Sequence, residues 1–471
     1  MARSSACASR DRTCSIASRT SSPICRPDPP PCSSISSRAC GSPPKRPEVA
    51  SPARGAALSR LFRLSRQVWV RAAAFTAIAV VVALAAGVIG AIIPFELVID
   101  LGQNSVDSIL QILATAMLTA TTFSITAMVT AYSSATTTAT PRSTQLLITD
   151  PTSQNALSTF VGAFVFSLVG IIALSTGYYT EQGRTILFVG TLAVVAFIVV
   201  TLLRWIAHLA RFGRMADVID RVEEAATASL VAYAQTPTLR AQRLVDMPVT
   251  AVPVWAESVG YVAHIDIAAL DRAAREGGIR ILVATPPGSI ADRTRPLAYL
   301  SRHGGSRQDE LQDAARRAFR LASHRDYEQD PRLGVIALTE IGSRALSPAT
   351  NDPGTAIEVI AALQRVFTRS LEIEADDRVE FAHVSVAPPR LADLVADAFR
   401  PIARDGAALL EVQIRLQKCL AALAAAAPEH RRLFADTAAD AVRRARSQMD
   451  AGDRRTLRRT AAAVWQAPPR P

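Results

Sequence analysis

Residues 107–142 read DSILQILATAMLTATTFSITAMVTAYSSATTTATPR, and the 34 residues between Asp107 and Arg142 carry no charge. A bilayer core about 30 Å thick needs roughly 20 apolar residues in a helix. This stretch is therefore long enough to span and to project beyond. It is also rich in threonine. Gln111, Thr115, Thr119, Thr122, Thr126, Thr130, Ser133 and Thr137 follow one another at steps of 4, 4, 3, 4, 4, 3 and 4. Those steps keep to one face of a helix. A hydroxyl stripe on a membrane helix lets a neighbouring helix approach and hydrogen-bond. The same stripe can line a water-filled path. Threonine can also return its hydroxyl to the carbonyl one turn back, so the stripe does not by itself require water.

Three more uncharged stretches flank this one. The predicted spans fall at about 72–95, 108–136, 156–180 and 185–205. Successive uncharged runs of this length argue against a set of buried core helices. Ser158/Gly162 and Ala163/Ser167 in the third span place small residues at helical spacing, which reads as helix packing. Loop charges give the orientation. Arg54, Arg60, Arg63, Arg66 and Arg71 precede the first span, and Arg204, Arg211, Arg214 and Arg221 follow the fourth. The first loop carries Glu96, Asp100 and Asp107 and no base. Both termini are expected in the cytoplasm of a bacterial inner-membrane protein. No span has a charge at its centre, so the usual sign of a proton relay is missing.

The whole-chain totals hide this layout. The 471 residues are 49% hydrophobic and 20% charged, near the globular average. The net charge of +11 points at first towards nucleic acid. Residues 1–66, however, hold 12 Lys/Arg against 3 Asp/Glu, so the remainder is nearly neutral and no nucleic-acid partner is expected. Residues 1–55 are a Ser/Pro/Cys-rich basic arm without apolar periodicity, expected to be disordered. It reads either as a lipid-seeking arm or as a start site placed too far upstream.

The expected fold class is a multi-pass α-helical membrane domain of four transmembrane helices, followed by a cytoplasmic α+β domain. That domain has a small β-rich, barrel-sandwich-like module and C-terminal helices. The predicted boundaries are 56–212 for the membrane domain, 213–250 for a connecting helix and 251–303 for the β-rich module. Residues 304–450 form an α-rich domain and 451–471 a tail. Around the module, Gly260-Tyr261-Val262 and Pro287-Gly288 are loosely lipoyl-like. A swinging-arm carrier needs a hairpin lysine, and the nearest lysine is Lys418. A helix is expected over Asp309–Ser323, a strand near Val379–Val386, and helices near Leu391–Arg404, Ala407–Ala425 and Pro428–Met449.

Three segments carry a resemblance to a known family. They are TTFSITAMVTAYSSATTTATPR (121–142), SVGYVAHID (258–266) and YEQDPRLGVIALTEIGSRALSPATNDPGTA (327–356). Together they resemble the bacterial predicted membrane proteins grouped as DUF2254, over roughly residues 60–450. The resemblance implies an architecture and no assigned activity.

Candidate ligand or structural residues are Glu328, Asp330, Arg344, Ser347, Asn351 and Asp352. Arg344 is placed to pair with Asp352 or Glu328, and Asn351-Asp352-Pro353 opens a helix. The run His324–Asp330 reads as a salt-bridged surface in preference to a metal site. No nucleotide-binding glycine loop, nucleophile elbow or HExxH motif occurs. No catalytic residue, metal or cofactor is therefore expected. The expected partners are the lipid bilayer, further copies of the chain as a homo-oligomer, and a small ion or anionic ligand. The expected function is channel- or transporter-like, with a sensing or gating domain. The alternative is a ligand sensor or scaffold that does not conduct.

Overall fold

A computed structural model describes residues 68–92, 103–138, 140–148, 150–244, 251–301 and 307–466. The basic arm 1–55, and Glu96 and Asp100 of the first loop, lie outside these residues. Helices α1 (Val68–Ile92), α2 (Gln103–Thr138), α3 (Pro141–Ile148), α4 (Pro151–Ser175) and α5 (Glu181–Leu209) form the N-terminal bundle. Among the described residues, three stretches are long and apolar enough to cross a membrane: Ser105–Thr136, Pro151–Ser175 and Glu181–Leu209. In α1 the qualifying apolar stretch is shorter, Ala73–Ile89. Among the described residues, three membrane-length helices are thus found, where four were expected.

Local chemistry sets the helix bounds. The third predicted span begins earlier than 156, because Asp150 caps α4 and Pro151 occupies its first turn. It ends at Ser175, before Gly177 at φ +68°. Thr180 then caps α5 by accepting from Gly183 N. The small residues of α4 are buried in the bundle. Ser158 and Ser167 are fully enclosed, and Gly162 lies against the backbone of Phe75 on α1.

Helix α2 is the longest, 36 residues and so about 54 Å at 1.5 Å per residue. One face packs on the bundle through Leu110, Leu113 and Met117. Its far end leaves the bundle. There Ala135 joins the core of the C-terminal region, with Ala131 and Tyr132 packed against that core.

The C-terminal region begins with α6 (Met215–Gln235). Strands follow: β1 (Ala241–Arg243), β2 (Val252–Val254) and β3 (Gly260–Ile265). After α7 (Ile267–Gly277) come β4 (Ile281–Val283), β5 (Ile290–Ala291) and β6 (Ala298–Leu300). Then come α8 (Gln308–Arg317), β7 (Phe319–Ala322), α9 (Pro331–Ala345), α10 (Pro353–Leu371) and β8 (Phe381–Val386). Helices α11 (Leu391–Asp405), α12 (Leu410–Ala426), α13 (Arg431–Arg446) and α14 (Ala451–Gln466) complete it.

The strands form a five-stranded mixed sheet, β1-β8-β4-β6-β2, and a three-stranded antiparallel sheet, β5-β3-β7. The β-rich module is therefore not closed within 251–303. It is completed by β1, by β7 and by β8, which pairs in parallel with both β1 and β4. The helix expected over Asp309–Ser323 stops at Arg317, and Phe319–Ala322 turns into a strand against β3. Phe319 enters the sheet core there, which a continued helix would prevent. The tail is also ordered in part. In α14, Leu457 is buried and Trp465 Nε1 donates to Gln417 Oε1 at 3.1 Å.

The helical core lies between α6, α9, α10, α11 and α12. Phe367 and Phe399 are fully buried, with ring centroids 5.7 Å apart. Truncating either to alanine costs about 3–5 kcal/mol on general experience of cores. Gly334 of α9 lies so close to the Ala226 backbone of α6 that no β-carbon fits there. That close approach locks α9 to the helix that leaves the bundle.

Candidate functional site

The two regions are joined by a small ionic cluster built on the caps of the apolar helices. Asp150 Oδ2 accepts from Ser153 N at 2.7 Å as the cap of α4. The same oxygen faces His208 Nε2 of α5 at 3.0 Å. Asp150 Oδ1 accepts from Arg221 Nη1 of α6 at 2.8 Å, and Arg221 Nε donates to Asp217 at 2.9 Å. Asp150 is only 4% exposed. Burial by itself raises a carboxyl pKa. Here the hydrogen bonds from His208, Ser153 and Arg221 outweigh it and hold Asp150 well below the usual carboxylate range.

Phe212 sits beneath this cluster. The Arg221 guanidinium lies 5.5 Å from its ring centroid. The His208 and Tyr132 rings approach it at 5.2 and 5.7 Å. The chain turns beside it at Gly213, with φ +78°. A β-carbon there would meet Ala131 Cβ at 3.1 Å and Ala131 O at 3.2 Å. Glycine is thus required both by the left-handed backbone and by the approach of α2. A second tie comes from α3. Arg142 pairs with Glu340 of α9, and Tyr327 donates its hydroxyl to Arg142 O at 3.1 Å.

The other side of Phe212 faces a cavity of about 900 Å³. Helix α2 contributes Phe123, Thr126, Ala127, Thr130, Ala131 and Ser134. The exit of α5 contributes Leu209, Phe212, Gly213, Arg214 and Met215. The segment between α9 and α10 contributes Ala345, Thr350, Asp352 and Thr355. Aromatic and aliphatic groups, hydroxyls, one arginine and one carboxylate thus face the same space. This arrangement suits binding, with fixed charge of both signs over an apolar floor.

Gln111, Thr115, Thr119, Thr122, Thr126, Thr130 and Ser133 are all exposed, on the side of α2 turned away from the bundle. The threonines return their hydroxyls to the preceding turn. Thr115 donates to Gln111 O at 3.0 Å, Thr119 to Thr115 O at 2.9 Å and Thr122 to Leu118 O at 3.0 Å. Thr126 donates to Thr122 O at 3.0 Å and Thr130 to Thr126 O at 2.9 Å. Gln111 Nε2 donates to Asp107 Oδ2 at 2.6 Å. Gln111, Thr115 and Thr119 share a shallow groove with Ile112, Ala116, Ala120 and Phe123. Thr126 and Thr130 reach the cavity.

The second set of sequence candidates divides between the two ends of α9, about 22 Å apart along a 15-residue helix. At its start, Asp330 caps the helix and takes a two-pronged bond from Arg325, at 2.7 and 3.0 Å. Glu328 accepts from Arg320 Nη2 at 2.9 Å. At its end, Ser347 Oγ bonds Thr350 Oγ1 at 3.3 Å. Asn351 takes a left-handed backbone at φ +46°. Asp352 caps α10 by accepting Thr355 N at 3.0 Å and Thr355 Oγ1 at 2.6 Å. Among the described residues Arg344 pairs with neither Asp352 nor Glu328: Asp352 accepts from Thr355, and Glu328 accepts from Arg320. Arg344 is exposed and joins no ion pair among the described residues.

Sequence reasoning singled out none of His208, Phe212 and Gly213, and it read Arg142, Asp150, Arg214 and Arg221 only as loop charges. One local signal was present. Asp150-Pro151 at the edge of an apolar run is a helix-start signature. Among the described residues, no group of three or more His, Cys, Asp or Glu is placed to hold a metal.

Comparison with known proteins supplies the family. No solved structure matches the chain. An uncharacterized protein of Mycobacterium bovis is 27% identical over 235 residues, 48% of this chain and 44% of the relative. Uncharacterized proteins of two Mycobacterium tuberculosis strains match over the same shares at the same identity. The chain thus matches less than half the length of these curated relatives. The model of the family described as predicted membrane proteins, DUF2254, matches residues 65–422. With the apolar helices and most of the C-terminal region inside that match, the chain belongs to the DUF2254 family of predicted membrane proteins.

Proposed function

We propose that the protein is an inner-membrane homo-oligomer in which α2 of each copy faces a common axis and forms a conduit for a small ion. In this reading α1 supplies a fourth span and both termini are cytoplasmic, in line with the arginine-rich flanks. The observation that carries it is the direction of the hydroxyl stripe. The seven polar positions from Gln111 to Ser133 are exposed, while Leu110, Leu113 and Met117 on the opposite face pack inward. Polar groups on membrane helices are concentrated at helix interfaces and water paths, where they find partners. Each threonine has already satisfied its own hydrogen, and its oxygen still has acceptor capacity for a passing cation or water. Because Ala135 of α2 is part of the C-terminal core, movement of that core would be felt directly by the conduit helix.

Reconstitution into liposomes with an ion-flux readout tests the reading. Flux is expected from the intact oligomer, and its absence across common monovalent and divalent ions would sink conduction. A second reading, ligand sensing without conduction, is favoured by the cavity between α2 and the start of α10. It predicts ligand-dependent protection of the segment 345–355 from hydrogen exchange in a protein that passes no ions.

A further inference from the structure

We infer that the cavity between α2 and the α9–α10 segment is a binding site for one zwitterionic phospholipid, of the phosphoethanolamine type, entering from the surrounding bilayer. The inference rests on the membrane-spanning reading of α2 and α5 and is independent of whether the protein conducts.

Three observations carry it. First, the cavity is two-natured along its length. Phe123 and Ala127 of α2 lie within a membrane-length apolar stretch, and Leu209 ends another. Arg214 lies five residues past the end of the α5 stretch, and Thr350 and Asp352 come to the same lining from the C-terminal region. An apolar slot that turns polar where the membrane helices end matches the division between acyl chain and headgroup.

Second, the charges specify the head. Arg214 and Asp352 are the two ionisable residues in the lining. Arg214 makes no capping bond and joins no ion pair among the described residues, so its guanidinium has donors for a phosphate. Asp352 spends two acceptor sites on Thr355 N and Oγ1. A carboxylate has about four such sites, so it retains capacity for an ammonium group. The Thr355 bonds also hold its pKa below the ordinary value, which keeps it charged at neutral pH. One cation and one anion in the wall select a ligand carrying one of each. A headgroup with a phosphate but no ammonium would leave Asp352 without a counter-charge.

Third, the polar end is shaped by a left-handed turn. Asn351 takes φ +46° between Thr350 and Asp352, both of which line the cavity. After glycine, asparagine is among the residues that adopt this region most readily. Here the turn lets both neighbours face the slot.

The test uses the full chain in nanodiscs of equal phosphatidylethanolamine and phosphatidylglycerol, released into mild detergent for native mass spectrometry. One phosphatidylethanolamine per chain is expected, at least tenfold over phosphatidylglycerol. Ala127→Phe, which fills the slot, is expected to abolish retention. Asp352→Asn keeps the helix cap, since Asn caps as well as Asp, and is expected to erase the preference between the two lipids. Arg214→Gln is expected to weaken retention at least tenfold. Thr115→Val, remote from the cavity, leaves retention unchanged. Equal retention of both lipids by the unaltered protein would overturn the inference. So would retention that survives Ala127→Phe, or full competition by soluble glycerophosphoethanolamine, which lacks chains. Because retention is read without flux, its failure leaves the conduction reading standing, and the reverse holds.

Discussion

Asp150 and Arg221, 71 residues apart in sequence, meet at 2.8 Å where the apolar bundle joins the C-terminal region. The carboxylate belongs to the cap of α4 and the guanidinium to α6. Both are largely buried, with side-chain exposures of 4% and 21%. Breaking such a pair strands a charge away from water and costs about 3–5 kcal/mol, far above the roughly 0–1 kcal/mol of a surface pair. Asp150→Ala and Arg221→Met should each lower the unfolding midpoint in detergent by that order. The double variant should be less destabilised than the sum of the two. Simple additivity in the double-mutant cycle would remove the pair from the account of how the regions are joined.

The same carboxylate predicts a pH dependence. Its folded pKa is depressed, so the unfolded chain takes up a proton at a higher pH than the folded one. The stability it contributes is therefore present above the ordinary carboxylate value of about 3.9 and is lost as pH falls through the folded value. Unaltered protein should hold a flat midpoint from pH 7 to 5 on this account and lose stability below about pH 4. Asp150→Asn keeps the cap but cannot titrate, so it should start lower and fall less steeply. Parallel acid profiles for the two proteins would show that another group controls the loss.

Gly213 gives a backbone prediction. Its φ of +78° disfavours any β-carbon, and Ala131 lies at 3.1 Å from where one would sit. Gly213→Ala should destabilise by more than about 1 kcal/mol, since the native conformation is incompatible with the new residue. Gly190, where a β-carbon meets nothing within 4 Å, serves as the control. Gly190→Ala should be neutral or stabilising, because alanine is the better helix former. Equal midpoints for the two variants would mean that the turn relaxes freely.

The apolar helices were legible because uncharged length and 3.6-residue periodicity are local properties. The stripe of α2 was legible for the same reason, and so was the cap at Asp352-Pro353. The sheet was not. Strand β8 inserts between β1 and β4, which lie far earlier in the chain, and nothing in FAHVSV names its neighbours. Strand β7 was read as helix because Arg316-Arg317-Ala318-Phe319 continues the apolar spacing of α8. Pairing with β3 overrode that local preference. The joint was hidden for a related reason. Asp150 and His208 look like helix-end residues and Arg221 like a charge on a solvated helix face, and only tertiary packing brings the two bases onto the Asp150 carboxylate. Thr130 and Asp352 were both singled out in the sequence, yet their meeting in one cavity depends on α2 outrunning the bundle.

The stripe supplies the sharpest test of conduction. Thr115, Thr119 and Thr122 are exposed and donate only to their own helix, so each valine substitution removes a hydroxyl without opening a cavity. Valine and threonine are nearly the same size, and the buried face of α2 is untouched. The triple variant Thr115→Val/Thr119→Val/Thr122→Val should therefore unfold within about 1 kcal/mol of the unaltered protein, in keeping with surface substitutions. If the stripe lines a water-filled path, removing three hydroxyls in succession takes away the groups that replace an ion's hydration. Flux in liposomes should then fall severalfold at unchanged oligomeric state. Unchanged flux with an intact oligomer would move the path away from α2. Dissociation of the oligomer without loss of fold would instead make the stripe a packing face, with the hydroxyls bonding between copies.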